Sequence, residues 1–599
     1  MDTRLNETRL RIRRVQDELA AVGAQALLVP SSDPHLSEYL PEHWQGRVWL
    51  SGFTGSMGTL VVARDRAALF ADSRYWTQAE AELAGTGIDL VKTATGGSTD
   101  HLDWLAREVA AGGTVLVDGA VLGLAAAQQL RNRLQAAGIS LRTDLDLLQA
   151  VWPGRPGLPD APVYEHRAPY APVPRADKLR LLRDAMRHAG ASHHLVSTVD
   201  DIAWISNLRG SDVSYNPVFL AHLLVGLDRA TLFVGAGKIG TELAAALAAD
   251  GIDLAPYAAA ADALAALDAQ DTLLLDPKRV TLGLREQVRS ASVVEATNPS
   301  TLAKSRKTAD EAAQVREAMA EDGAAMCEFY AWFEAALARG DALDELIVDE
   351  RLSAARARRA GFVGLSFPVI AGFNANGAMP HYRATQASYA RIEGNGLLLI
   401  DSGGQYLGGT TDITRVWPIG NVSAEMKTDY TRVLQGTLAL SRARFPHGTL
   451  SPMLDALARA PLWAENLDYG HGTGHGVGYF LNVHEGPQSI SKAVPNPDMA
   501  MQPGMITSIE PGLYRPGQWG VRIENLVLNV PAGDSEFGEF LAFETLTLCP
   551  IDTRCIERSL LRADEIAWLN AYHATVRERL TPRISGEALA WLEARTQPI

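Results

Sequence analysis

Cysteine is scarce in this sequence, with three residues among 599, at Cys327, Cys549 and Cys555. Three cysteines without paired spacing form neither a disulfide framework nor a zinc ribbon, so we expect them to be reduced and structural. Positive charge is also in short supply. The formal net charge of -15 argues against nucleic acid as a partner, because binding to phosphates requires a basic face.

Long apolar runs are absent as well, since no stretch reaches the length of a membrane span. Residues 1–24 mix charged and aliphatic side chains at helical spacing, unlike a signal peptide. We therefore expect a cytoplasmic protein without a membrane partner. With 47% hydrophobic and 21% charged residues the composition is globular. A chain of 599 residues is too long for one core and predicts roughly three to four domains.

The first half of the chain contains an internal repeat. The sequence of residues 222–254 matches that of residues 59–90 almost position for position, so that Asp253 aligns with Asp89. Each copy has the pattern of two strands joined by a short turn and followed by a helix. The pattern predicts two α/β domains that arose by duplication.

Prolines and a helix start mark the boundaries between domains. Seven of the thirty prolines lie between Pro153 and Pro174, which predicts a stiff connector. Thr308 and Glu311 have the spacing of a capping box that begins a helix. The chain becomes helical and charged after Pro550. The predicted domains are residues 1–155, 156–303, 304–550 and 551–599, in an α/β (α+β) protein.

Residues 235–240, GAGKIG, match the glycine pattern of a dinucleotide-binding loop. That pattern belongs to the first strand of a parallel βαβ unit. Here the preceding strand is predicted to be the second arm of an antiparallel hairpin that turns at residues 227–229. We therefore expect no dinucleotide cofactor.

Residues 471–486 contain His471, His475 and His484, with four glycines at alternating positions from Gly472 onward. So many glycines exclude a stable helix and predict an extended backbone. His471 and His475 have the spacing of a helical zinc motif, but that motif needs a glutamate where Gly472 stands. On this segment alone, a metal site and a glycine-rich turn both remain open.

Four carboxylates occur as two matched pairs. Asp401 and Asp412 flank a Tyr-Leu-Gly-Gly turn signal, and Glu510 and Glu524 are centred on Gly517 in an Arg-Pro-Gly-Gln turn signal. Two hairpins would therefore place each pair on adjacent strands, close to facing each other.

The strands that carry these acids are apolar, as in LLLIDSG and ITSIEPG. A single acid on a strand is usually solvated, but four buried carboxylates need cations among them. Two divalent cations would nearly balance four carboxylates and one bridging hydroxide. Oxygen-rich ligation with one imidazole suits Mn(II), Co(II), Fe(II) or Zn(II), and the lack of cysteine ligands disfavours a structural zinc.

Residues 401–415, 471–487 and 510–525 together resemble the pita-bread metallopeptidases, most closely the long three-domain form of the aminopeptidase P (Xaa-Pro aminopeptidase) family. The resemblance covers nearly the whole chain. It implies two duplicated creatinase-type N-terminal domains, a pita-bread catalytic domain and a small helical C-terminal extension.

The resemblance also implies a dinuclear metal site with Mn(II) as the favoured ion and Co(II) or Zn(II) as alternatives. Two of its ligands, Asp412 and Glu524, would bridge the ions. The implied ligands are Asp401, Asp412, His475, Glu510 and Glu524.

The implied reaction is attack on the scissile carbonyl by a hydroxide that bridges the two ions. Glu510 would relay the proton to the leaving nitrogen. His381 and His484 would donate hydrogen bonds to the substrate as charge develops. His471 and His484 correspond to the pair that lines the substrate site, and Arg522 to an arginine beside the ligands.

The implied substrate is a peptide with proline at its second position, cleaved by a homodimer. Ala378, Met379, Pro380 and Tyr479 depart from the family pattern, which leaves substrate preference open. A prolidase that cleaves dipeptides is the nearest alternative, a creatine-type hydrolase a more distant one, and a non-catalytic peptide-binding module of the same fold the most remote. The duplicated N-terminal half and the length favour aminopeptidase P.

Overall fold

The computed structural model describes residues 3–94 and 97–599. The chain divides into two compact units, one of Met1–Arg167 and Val173–Ser300, the other of Ala168–Pro172 and Thr301–Ile599. In the described part of the chain, no helix has both the length and the apolar character needed to cross a bilayer.

The first unit contains two mixed sheets with helices between their strands. Its strands are β1 (Ala26–Pro30), β2 (Thr59–Ala63), β3 (Ala67–Asp72), β4 (Ile88–Thr93), β5 (Thr114–Leu116), β6 (Ser140–Arg142), β7 (Tyr164–Glu165), β8 (His193–Val196), β9 (Leu208–Arg209), β10 (Ala221–Gly226), β11 (Ala230–Val234), β12 (Ile252–Pro256), β13 (Thr272–Leu275) and β14 (Ser292–Glu295).

Most helices of this unit are short. They are α1 (Thr3–Ala21), α2 (Gly46–Ser51), α3 (Trp76–Leu83), α4 (Asp100–Glu108), α5 (Leu124–Ala136), α6 (Leu147–Val151), α7 (Arg175–His188), α8 (Val199–Ser206), α9 (Thr241–Ala249), α10 (Ala260–Ala265) and α11 (Leu282–Gln287), and α12 (Pro299–Ser305) runs into the second unit.

The two sheets have the same topology. Their strand orders are β4-β3-β2-β1-β5-β6 and β12-β11-β10-β8-β13-β14, and exchanging each strand for its repeat partner converts one order into the other. An ion pair is also repeated, since Arg66 contacts Asp89 at 2.8 Å and Arg229 contacts Asp253 at 2.6 Å. The predicted duplication is confirmed.

The glycine pattern at residues 235–240 follows the second arm of a hairpin, as predicted. Strand β11 pairs antiparallel with β10, and the N–H of Gly226 donates to the carbonyl of Arg229 at 2.8 Å. The helix after the pattern, α9, begins at Thr241. This helix leads to β12, which pairs parallel with β11. The expectation that the glycine pattern lies outside a parallel βαβ unit is therefore wrong, because β11 is both the second arm of the hairpin and the first strand of such a unit.

The proline-rich segment between the sheets is largely irregular, as expected of a connector, but it is held in place. Its two-residue strand β7 pairs antiparallel with β9. The connector is therefore a packed part of the molecule, which its proline content alone did not indicate.

The second unit has a long helix at its start and strands that carry the acidic residues. Its helices are α13 (Ala309–Arg339), α14 (Glu345–Ala357), α15 (Ala424–Ser441), α16 (Asp455–Trp463), α17 (Ala563–Leu580) and α18 (Gly586–Arg595). Its strands are β15 (Phe362–Leu365), β16 (Ile370–Phe373), β17 (Gly396–Ser402), β18 (Gly404–Tyr406), β19 (Gly409–Thr410), β20 (Ile413–Ile419), β21 (Arg444–Pro446), β22 (Gly474–Gly476), β23 (Glu485–Ile490), β24 (Ile506–Ile509), β25 (Gly512–Arg515), β26 (Trp519–Arg522), β27 (Asn525–Ser535) and β28 (Gly538–Thr545).

Helix α13 begins with the predicted capping box, in which Thr308 accepts from the N–H of Glu311 and the Glu311 side chain accepts from the N–H of Thr308. The helix contributes Tyr330 to the main core of the unit. The Tyr330 ring packs on Trp417 of β20 and on Trp591 of α18. The C-terminal helices therefore share the core of this unit, whereas the sequence indicated only an appendage. All three cysteines are buried and free, as predicted.

Arg415, on β20, ties the strands of the second unit to its C-terminal helices. Its guanidinium is fully buried and donates to the carbonyls of Glu524 at 2.6 Å, Cys549 at 2.8 Å and Pro550 at 3.0 Å, and it also bonds the hydroxyl of Tyr572. One arginine thus satisfies several buried acceptors that have no access to water.

We expect Arg415→Met to lower the free energy of unfolding of this unit by about 3 kcal/mol or more, because several buried carbonyls lose their donor at once. Thermal unfolding would measure the loss. The matched control is Arg442→Met, since Arg442 pairs with Asp564 nearer the surface and should contribute less than about 1 kcal/mol. Equal midpoints for the two variants would contradict the role of Arg415.

Candidate metal centre

Asp401 and Asp412 lie at neighbouring ends of two paired strands. Strand β17 pairs antiparallel with β20, with Asp401 opposite Thr414. Asp412 directly precedes β20, so the two acids are within two register positions of each other, as predicted. Both are buried, with 8% and 5% of their surface exposed.

Glu510 and Glu524 flank the hairpin formed by β25 and β26. Gly512 pairs with Arg522 in this hairpin, and Gly517 occupies the turn with a φ of +72°. Continuing the register by two residues places Glu510 opposite Glu524. The predicted cross-strand pair of glutamates is confirmed, and only 1% of Glu524 is exposed.

His475 lies on β22 and points its Nε2 atom at the acids. Nε2 is 3.5 Å from Asp412 Oδ2 and 3.3 Å from Glu510 Oε1, while Nδ1 lies 2.9 Å from the carbonyl oxygen of Gly476. Within residues 3–94 and 97–599, one group of three side chains has potential metal-binding atoms all within 4.8 Å of one another: Asp412, His475 and Glu524.

Asp401 is joined to this group through Arg522. Arg522 Nη2 donates to Asp401 Oδ2 at 2.6 Å, and its Nε donates to Thr414 Oγ1 at 3.1 Å. The Thr414 hydroxyl in turn donates to Glu524 Oε2 at 2.8 Å. One arginine and one threonine therefore orient a carboxylate from each hairpin, as outer partners of metal ligands do.

The donor set fits divalent cations. Asp401 Oδ1 and Glu524 Oε1 are buried and accept no hydrogen bond from the described residues. Such oxygens carry a large desolvation penalty unless a cation or donor meets them. Four carboxylates with one imidazole form an oxygen-rich set of the type that holds manganese, cobalt, iron or zinc.

The pKa values of Asp401 and Glu524 show that it is unfavourable to bury these acids together in their charged forms. Burial raises the pKa of Asp401 to about 7, and Asp412 and Glu510 add to this while Arg522 opposes it. Burial and the charges of Asp412, Glu510 and Asp401 raise the pKa of Glu524 well above its ordinary value. Cations at this place would return both carboxylates to their charged forms.

Glu510 and His475 form the opposite case. Burial opposes ionisation of Glu510, but the hydrogen bond and charge of His475 lower its pKa to about 2. Burial likewise opposes protonation of His475, yet Asp412 and Glu510 raise its pKa well above the ordinary value. His475 and Glu510 therefore favour each other's charged forms.

His471 lies beside the acids without joining them. Its Nε2 is 2.8 Å from the hydroxyl of Tyr514, which accepts from Arg522 Nη1 at 2.6 Å. Burial lowers the pKa of His471 to about 4, with Arg522 acting in the same direction. His471 is therefore a neutral imidazole, linked to Asp401 by way of Tyr514 and Arg522.

The structure places His484 next to His475, with ring centroids 4.3 Å apart in an edge-on arrangement. His381 follows Pro380, whose carbonyl accepts from Arg522 Nη2 at 3.2 Å. His484 thus contacts a residue of the cluster, and His381 directly follows a residue whose carbonyl is held by Arg522.

Three residues of the centre were not predicted: Thr414, Ser508 and Tyr514. The hydroxyl of Ser508 donates to Glu510 Oε1 at 3.0 Å and accepts from the N–H of His475 at 2.9 Å. Register was the available signal, since Thr414 is directly opposite Asp401 and Ser508 is two residues before Glu510.

Comparison with known proteins gives matches over the full chain. Aminopeptidase P2 of Arabidopsis thaliana is 39% identical over 98% of this chain and 88% of its own length. The chain belongs to the aminopeptidase P family. A probable Xaa-Pro aminopeptidase P of Colletotrichum graminicola is 36% identical over 99% of both chains. The crystal structure of X-prolyl aminopeptidase from Caenorhabditis elegans, described as a cytosolic enzyme with a di-nuclear active site, matches all of both chains with a TM-score of 0.95 and 31% identity.

Family models agree with this placement in aminopeptidase P. Residues 11–146 and 154–311 match two models of the creatinase/prolidase N-terminal domain. Residues 313–530 match metallopeptidase family M24, and residues 539–599 match the C-terminal region of peptidase M24. The expected fold class is confirmed, with two N-terminal domains, a pita-bread catalytic domain and a C-terminal extension.

We expect Asp412→Ala and Glu524→Ala each to reduce bound metal below two ions per chain, because each removes an acid from the three-residue group and leaves the others poorly compensated. Metal analysis of purified protein would measure this. Glu539→Ala removes a carboxylate exposed on β28 and should leave the metal content unchanged. Two retained ions in either ligand variant would refute the assignment.

Proposed function

We propose that the protein is a metal-dependent aminopeptidase that releases the N-terminal residue from peptides with proline in second position. The observation that carries this proposal is the convergence of two acidic hairpins and His475 in one buried cluster. The relatives add support, since the Arabidopsis protein is named an aminopeptidase P and the Caenorhabditis structure an X-prolyl aminopeptidase.

We propose that the two hairpins and β22 would hold two divalent ions, and that Asp412 and Glu524 would be ligands common to both. When bound, two divalent ions polarise the scissile carbonyl and lower the pKa of water. The full ligand set is Asp401, Asp412, His475, Glu510 and Glu524.

Glu510 is the proposed carrier of the proton that passes to the leaving nitrogen. Its Oε1 atom is held by Ser508 at 3.0 Å, which fixes the carboxylate for transfer. His484 and His381 are the proposed hydrogen-bond donors to the substrate as negative charge develops. His471 is proposed to line the substrate site, with its neutral ring held by Tyr514.

Proline after the scissile bond makes that bond a tertiary amide without an N–H. An apolar slot that accepts proline would bury the N–H of an ordinary peptide without an acceptor, at a cost of about 1–3 kcal/mol. Selectivity for proline would follow from this cost, and recognition of the free amino end would add to it.

The prolidase alternative is less well supported. The relatives that match almost the whole chain are aminopeptidases P, and the additional N-terminal domain is shared with them. A non-catalytic binding module has no use for five metal ligands and the partners that orient them, such as Arg522 on Asp401.

Further properties belong to the same proposal. The domain boundaries at residues 155, 303 and 550, Mn(II) as the favoured ion with Co(II) or Zn(II) as alternatives, and a cytoplasmic location are proposed here. A homodimer is also proposed, supported by the exposed apolar side chains of Met453, Leu457 and Trp463, exposed by 65%, 42% and 44%.

We expect the protein, loaded with Mn(II), to release one residue from Xaa-Pro peptides of several lengths and to leave their N-acetylated versions nearly intact. Ordinary peptides without proline should be cleaved roughly five- to a hundredfold more slowly from the lost N–H partner alone. Product analysis over a peptide panel would measure this. Activity confined to dipeptides would indicate prolidase, and efficient cleavage of acetylated peptides would contradict the proposal.

We expect His484→Ala to keep two metal ions and to lower turnover roughly a hundredfold or more, the effect of removing a donor to the transition state. Metal analysis and steady-state kinetics would test this together. His447→Ala is the control, because His447 is an exposed histidine that contacts Gln502 at 2.8 Å. Loss of metal in His484→Ala would make His484 a ligand.

A further inference from the structure

Glu485 forms a buried ion-pair cluster with two lysines that the proposed reaction does not use. Lys307 Nζ donates to Glu485 Oε1 at 2.6 Å, and Lys304 Nζ lies 3.5 Å from Oε2. The three side chains are 0% to 2% exposed. Burying three ionisable groups is expensive, and apolar residues of similar volume would often be as stable. Stability alone therefore does not explain this ion-pair cluster, which points to a functional role.

Glu485 is positioned to act on two histidines at once. It directly follows His484, and its backbone pairs with Gly476, the residue after the proposed ligand His475. The approach is close, since a Cβ atom at Gly476 would lie 2.0 Å from the carbonyl oxygen of Glu485. The two imidazole rings are themselves in contact. Any shift of Glu485 would move His484 against His475.

The lysines come from a segment that is itself fixed. The N–H of Lys307 donates to the carbonyl of Gly504 at 2.8 Å, and Arg306 forms a bridge with Met505. A Cβ atom at Gly504 would lie 2.5 Å from the Lys307 carbonyl oxygen. The next residue is Thr308, which caps α13. The backbone that carries Lys307 is thus fixed on both sides of that residue, and its ammonium group also donates to the carbonyl of Ser305 at 3.3 Å.

We propose that Lys307 and Lys304, acting through Glu485, are positioning residues that hold the His484 imidazole against His475 in the orientation needed for the bound peptide. This inference rests on the function proposed above. His484 is proposed to donate a hydrogen bond to the negative charge that develops on the substrate in the transition state. A misplaced His484 ring should therefore reduce kcat more than it changes KM. A displacement of about 1 Å in such a group can cost roughly a hundredfold in rate.

The test is a double-mutant cycle between Lys307→Met and His484→Ala, with kcat, KM and metal content measured for each variant. Lys307→Met alone should lower kcat roughly ten- to a hundredfold with KM changed less than about threefold and both ions retained. In the His484→Ala background the same change should lower kcat by less than about threefold, because its target is absent. Additive losses, or loss of metal with Lys307→Met, would overturn the proposal.

The control variant is Lys492→Met, which breaks a surface pair with Asp468 beyond the other end of β23 and should leave kcat unchanged. If Lys307→Met does not fold, Glu485→Gln is the milder variant, with the same kcat loss and the same non-additivity expected. Equal kinetics of Glu485→Gln and the unaltered protein would count against the inference.

Hydrogen exchange, measured without substrate, separates this inference from the proposed activity. Peptides that cover residues 474–490 should exchange faster in Lys307→Met than in the unaltered protein or in Lys492→Met. Unchanged exchange there would overturn the positioning role. If instead the unaltered protein fails to cleave Xaa-Pro peptides, the proposed function fails, whatever the exchange result.

Discussion

Four carboxylates in one buried cluster repel one another, and the surrounding residues of the second unit must hold them together against this repulsion. Burial and like charge raise the pKa values of Asp401 and Glu524. Within the protein itself, Arg522 contacts the Asp401 carboxylate at 2.6 Å, and Nε2 of His475 lies 3.5 Å from Asp412 and 3.3 Å from Glu510. Cations among the oxygens remove the penalty, so metal binding and the stability of the cluster are coupled.

Two hairpins meet this constraint with little conformational freedom. Each places two acids near one end of a strand pair, and the strands are anchored in hydrophobic cores that keep the backbone fixed. Arg415 joins the backbone carbonyl of Glu524 to Tyr572 of the C-terminal helices, and Thr414 joins the Glu524 carboxylate to Arg522. The acids therefore cannot relieve their repulsion by moving apart, which preserves a site of fixed geometry.

The sequence predicted the features that local pattern controls. Turn signals gave the register of both hairpins, the spacing of Thr308 and Glu311 gave the start of α13, and the internal repeat gave two sheets of one topology. It did not predict contacts between distant segments, such as Tyr514 with His471 or Lys307 with Glu485, which are 178 residues apart. The local sequence around Lys304 and Lys307 does not distinguish these lysines from surface residues, because Glu485 comes near them only when the chain folds.

Glycine shows the same division between pattern and context. Gly237 belongs to a motif with dinucleotide spacing, yet a Cβ atom there would meet nothing within 4 Å, and the preceding strand is a hairpin arm. Gly476 belongs to no such motif, but a Cβ atom there would collide with the carbonyl oxygen of Glu485. The close contact at Gly476 joins the strand of His475 to the residue after His484. The spacing of the motif therefore singled out Gly237, where a side chain would meet no neighbour. At Gly476, beside the proposed metal ligand His475, the nearby backbone of Glu485 leaves no room for a side chain, so glycine is required.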